Sequence, residues 1–177
     1  MQPDQQQEYR RLRCAAIEVL EAVPECGSYV HAFSYWRLPS FQDQIRFTLY
    51  RPRRLASNLK PFLSTTTWNQ KADLEKLRDP IKRLKYSGAL TPTIDETSRS
   101  LDAEQASNAL DDLGRISLPS IRPDLNVLGQ DGCQYRFAFS QGLFSLNISQ
   151  WENEPKIWQP TIERIEDLIS QIQGIHS

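Results

Sequence analysis

A chain of 177 residues with net charge −1, 39% hydrophobic and 24% charged side chains has the size and balance of one folded domain spanning residues 1–177. Its apolar runs fall short of the roughly 18 residues of a membrane span, and "MQPDQQQEYRRLRC" has no signal-peptide core, so a cytoplasmic location is expected. Three cysteines with no CxxC pair and only two histidines exclude a disulfide framework and a zinc site of ordinary spacing; no cofactor or metal is expected.

In chain order, residues 4–23 form an amphipathic helix. Tyr9, Leu12, Ala16, Val19, Leu20 and Val23 recur at spacings of three and four, and Pro24 ends the pattern. "SYVHAFSYW" and "QIRFTLY" alternate as strands. In the first, Tyr29, His31, Phe33 and Tyr35 fall on one side and Val30, Ala32, Ser34 and Trp36 on the other, so this strand is expected to be covered on both faces. Residues 51–69, broken by Pro52 and Pro61, read as irregular. Leu74, Leu77, Ile81 and Leu84 restore helical spacing, with Pro80 requiring a kink or a second short helix. Residues 86–100 read as a surface loop. A helix over 102–113 follows, with Asp102 as its N-cap and Gly114 beyond its end, and "RISLP" reads as a brief strand.

The clearest local signal is "DGCQYRFAFSQGLFSLNISQW". Asp131-Gly132 supplies a turn. Cys133, Tyr135, Phe137 and Phe139 share one face, and Phe144, Leu146 and Ile148 share one face of a second strand. A final helix carries a stripe of Trp158, Ile162, Ile165, Leu168, Ile169 and Ile172. These elements predict an α+β fold. An antiparallel sheet of hairpins near 29–50 and 115–149 is covered by the N- and C-terminal helices, and a central helical segment, 71–114, forms an appended layer.

Catalytic patterns are sparse. The seven glycines make no phosphate loop, and His31 has no GxSxG elbow beside it. Adjacent carboxylates such as Asp95-Glu96 and Asp111-Asp112 do not converge on one atom. Pro123-Asp124 with Glu154-Pro155-Lys156 spells a metal-nuclease pattern, but its second half falls in a loop with proline at its centre. An enzyme would need a site of scattered carboxylates, with Glu152, Glu154 or His31 involved.

Charge is segregated along the chain. Residues 1–91 carry 15 basic and 9 acidic side chains, and residues 92–177 carry 6 and 13, so the halves suit each other within the fold. The basic excess lies in residues 46–85. There Arg51, Arg53, Arg54, Lys82, Arg83 and Lys85 are candidates to bind nucleic acid or another polyanion. Phe41 and Phe62 are not readily assigned to a periodic core face and, together with Trp68, are candidates for a protein-binding patch.

The series Asp131-Gly132-x-x-Tyr135, alternating strands, Trp151, then Pro155-x-x-Trp158 opening a helix resembles the C-terminal part of small bacterial proteins, some of them similar to immunity proteins of toxin systems. The resemblance covers residues 129–172 and its motifs are structural. It implies a non-enzymatic protein that acts by occluding or holding a protein partner. The leading expectation is therefore a cytoplasmic protein-binding module of that kind. A polyanion binder and an enzyme stand as alternatives.

Overall fold

The computed structural model describes residues 3–40, 42–54, 58–79, 81, 91–117, 119, 132–141, 144–151 and 158–174. Among the described residues four helices, α1 (Pro3–Glu21), α2 (Gln70–Arg78), α3 (Ala103–Gly114) and α4 (Gln159–Gln173), flank six strands. The strands are β1 (Tyr29–Pro39), β2 (Gln44–Pro52), β3 (Phe62–Trp68), β4 (Ile94–Ser100), β5 (Cys133–Gln141) and β6 (Phe144–Trp151). All neighbours pair antiparallel in the order β4-β3-β2-β1-β5-β6, which gives the expected α+β class.

The two faces of this sheet carry separate cores. On one side Leu12, Ala16 and Leu20 of α1 and Leu77 of α2 pack with Trp36, Leu38, Trp68 and Ala138. On the other, Ala106 of α3 and Trp158, Ile162, Ile165 and Ile169 of α4 pack with Phe33, Tyr35, Leu49, Leu63 and Phe137. Each such aliphatic side chain contributes about 1.5–3 kcal/mol on burial. The central helices therefore do not form an appended layer: α2 joins α1 on one face and α3 joins α4 on the other.

Strand β1 lies at the centre of the sheet and is covered on both sides as its sequence implied, but not in a single phase. His31 pairs with Tyr50 and Phe33 with Leu49, so Ala32 is an extra residue in a bulge. Tyr29 and His31 consequently share the α1 side with Tyr50, while Phe33 and Tyr35 face α4.

Two stretches read as irregular or loop are strands. β3 runs through "FLSTTTW", where β-branched threonines suit an extended backbone although their polarity hides the alternation. β4 is "IDETSRS", paired with β3 from Phe62↔Ser100 to Trp68↔Ile94. Conversely, Arg115 turns in αR geometry and Ile116 and Ser117 are not in a strand, so the brief strand expected at 115–119 is absent among the described residues. Helix α2 stops at Asp79, whose extended backbone precedes Pro80. Helix α3 has the expected Asp102 cap, completed as a reciprocal box with Gln105. Among the described residues no helix is long and apolar enough to cross a membrane.

Candidate protein-binding edge

β4 occupies one margin of the sheet, and its placement starts from two buried charges. Asp73, on α2, is fully enclosed. One carboxylate oxygen accepts from Trp68 Nε1 at 2.8 Å and from the Thr93 backbone N–H at 2.9 Å; the other accepts from Lys76 Nζ at 3.0 Å and from the Thr93 hydroxyl. Burial by itself raises a carboxyl's pKa, but hydrogen bonds from Thr93, Trp68 and Lys76 outweigh it and hold Asp73 below the ordinary value. Thr93 immediately precedes β4, so this cluster fixes where the strand begins.

Arg46 is the second buried charge, 2% exposed. Its Nη1 donates to the Val19, Leu20 and Ala22 carbonyls at 3.2, 2.9 and 2.7 Å, and Nη2 donates to Thr66 Oγ1 at 2.8 Å. A cation placed on the last carbonyls of α1 satisfies acceptors that the helix itself leaves open and meets the negative end of its dipole. Trp36 Nε1 adds a further bond to Leu20 O at 2.6 Å. Arg46 thereby joins α1, β2 and β3.

At its far end β4 is tied to α4. Arg99 donates to the Gln173 carbonyl, and Gly174, at φ 68°, leaves room for the guanidinium: a Cβ there would lie 2.7 Å from Arg99 Nη1. Elsewhere α4 is pinned by Tyr35, whose hydroxyl donates to Glu166 Oε1 at 2.8 Å and is held protonated well above the ordinary phenol range by burial and by that carboxylate.

Between these anchors β4 is open. Every residue from Asp95 to Ser100 is exposed, on both faces of the strand, although β3 pairs with its whole length. The Asn69 N–H donates to Thr93 O and the Leu101 N–H to Pro61 O. These bonds turn the backbone groups of odd-numbered residues towards β3. By the alternation of an antiparallel ladder, those of Ile94, Glu96, Ser98 and Ser100 point to the outer margin. Among the described residues no strand pairs with them.

The residues singled out from sequence separate widely. Trp68 is completely buried, stacked on Tyr9 at 6.1 Å and bonded to Asp73, so it offers no surface to a partner. Phe62 is half-buried, stacked on Tyr50 at 4.8 Å and edge-on to Tyr29 at 4.9 Å; an aromatic cluster at the sheet end accounts for it. Arg51, Arg53 and Arg54 are exposed where β2 ends, with Arg53 Nε donating to Gly27 O and Tyr29 O at 2.9 and 3.1 Å. Phe41, Lys82, Arg83 and Lys85 lie outside the described residues, as do Asp124, Glu152, Glu154 and Lys156.

His31 Nε2 lies 3.0 Å from Ser34 Oγ, which in turn lies 3.0 Å from Thr48 Oγ1. The bulge brings His31 and Ser34 to one side, giving a serine–histidine contact that the sequence did not announce. Ser34 is fully enclosed, however, and burial together with the nearby Arg46 lowers the histidine's pKa. A substrate has no approach to that hydroxyl, and the three groups form a structural hydrogen-bond chain. Among the described residues no cluster of three histidine, cysteine or carboxylate side chains is arranged to hold a metal. No protein family, curated protein or solved structure matches the chain.

Proposed function

We propose that the protein is a non-enzymatic binding module that holds a protein partner by adding one of the partner's strands to the outer margin of β4. The carrying observation is the contrast within that strand: a full ladder to β3 on one side, and exposure of every residue from Asp95 to Ser100. A margin of this kind offers directional main-chain donors and acceptors, and its side chains select the sequence that pairs with them. The resemblance of residues 129–172 to immunity-type proteins agrees with a protein that works by occlusion. In this reading the β5–β6 hairpin and α4 are scaffold.

The exposed Arg51, Arg53 and Arg54 favour a second reading, a polyanion binder acting at the end of β2. One experiment separates the two. Tagged wild-type protein and Ser98→Pro are used to recover partners from nuclease-treated native lysate at low and high salt. Proline at 98 removes an N–H that points outward and spares the ladder to β3. A salt-resistant protein recovered by wild type and lost with Ser98→Pro is the expected result. A partner recovered equally by both removes strand addition. Recovery that collapses with salt and with Arg53→Glu/Arg54→Glu transfers the function to the basic end.

A further inference from the structure

We infer that the strand seated on β4 is β4 of a second copy of this chain, giving a two-fold dimer with one continuous sheet. This rests on the reading above, that the outer margin of β4 accepts a strand, and names the partner. Charges on an edge strand ordinarily oppose pairing. Here both signs are present, Asp95 and Glu96 near one end and Arg99 near the other, spaced symmetrically about Thr97.

The register follows from the outward-pointing backbone groups. In an antiparallel two-fold pair centred on Thr97, Glu96 exchanges main-chain bonds with Ser98 of the other copy, and Ile94 with Ser100. Asp95 of each copy then stands opposite Arg99 of the other, twice by symmetry, at positions where facing side chains are nearest. Centring the pair on Glu96 would set two glutamates face to face. Centring it on Ser98 would leave Asp95 opposite Leu101 and Arg99 opposite Thr97. The charges thus select one register.

Position also favours the pair. Arg99 is held on the α4 side of β4 by the Gln173 carbonyl and Gly174, and Asp95 lies on that same side, accepting from Asn69 Nδ2 at 3.2 Å. Both charged groups are therefore ordered before association, which lowers its entropic cost.

Sedimentation equilibrium over a concentration series tests the dimer. For wild type the mass should rise from that of the 20.5 kDa chain to twice that value. Asp95→Arg, which sets arginine against arginine, should weaken association by about tenfold or more. The double variant Asp95→Arg/Arg99→Asp, which exchanges the two charges, should recover most of it. Ser98→Pro should abolish the dimer while circular dichroism stays unchanged. Wild-type protein that remains at one chain mass throughout overturns the inference, as does a dimer equally strong in Asp95→Arg. If wild type is monomeric yet Ser98→Pro still loses a recovered partner, the second copy is excluded and strand addition stands. If Ser98→Pro alters neither assay, both fall.

Discussion

On the side of α1 and α2 the enclosed groups include, beside the apolar cluster around Leu20, Trp36 and Trp68, the polar Ser34, Arg46, Thr48, Thr66 and Asp73; on the side of α3 and α4 they include Phe33, Tyr35, Leu49, Leu63, Phe137, Ile162, Ile165 and Ile169. One face adds to its apolar contacts directional bonds between elements far apart in the chain. The other is joined by contact area, with Tyr35 stacked near Phe47, Tyr135 and Phe137 at centroid distances of 5.4–6.3 Å. The difference is one of tolerance. An apolar interface adjusts to a changed volume, whereas a carboxylate holding Trp68, Thr93 and Lys76 permits one arrangement of β3, α2 and the start of β4. The open strand is therefore positioned mainly by the polar side.

The largest test of that contrast is Arg46→Met. It keeps much of the volume but takes the guanidinium from the Val19, Leu20 and Ala22 carbonyls, of which Leu20 O alone keeps a second donor in Trp36 Nε1, and should cost about 4 kcal/mol in urea unfolding. Next, Ile165→Ala on the opposite face should cost about 3 kcal/mol and Ile165→Val only about 1, a graded response to lost volume. If Arg46→Met proves milder than Ile165→Ala, the polar side is not the more demanding one.

Asp73→Asn should cost about 2 kcal/mol at neutral pH, because an amide nitrogen must now face a donor. It also sharpens the contrast through pH. The Asp73 carboxyl is depressed in the fold, so its contribution is complete above the ordinary carboxylate value near 3.9 and is lost as pH falls through its lower folded value. The stability gap between wild type and Asp73→Asn should accordingly narrow in acid. A gap independent of pH would mean that Asp73 acts by shape and not by charge. Smallest is Tyr35→Phe, which removes the bond to half-buried Glu166 and should cost about 1 kcal/mol, leaving the ring packing in place.

How far the sequence reveals this molecule depends on whether each element's polarity follows its burial. Helices α1 and α4 and the β5–β6 hairpin announce themselves because their apolar residues recur with the period of the structure they form. The Asp102 cap was legible for the same reason: a local bond has a local signature. β4 was not, since a strand exposed on both faces has no apolar period, and "IDETSRS" reads like any polar loop. Trp68 looked available because its neighbours are threonines; its burial is set by Tyr9 and Asp73, from other elements. Arg46 sits in a segment rich in cations and counts there as surface charge, yet its partners are main-chain carbonyls, which have no letter in a sequence. The β-branched run Thr65–Thr67 was the overlooked sign of β3, and through it of an adjoining strand.

The bulge at Ala32 has a consequence for how β1 responds to change. In front of it, the odd-numbered Tyr29 and His31 answer to one core; behind it, the odd-numbered Phe33 and Tyr35 answer to the other. A substitution scan along this strand would show its pattern of tolerance jump by half a period at position 32. Deleting that single alanine would set His31 directly before Phe33, so that plain alternation keeps every side chain on its present face: the strand would lose a residue without any exchange of environments.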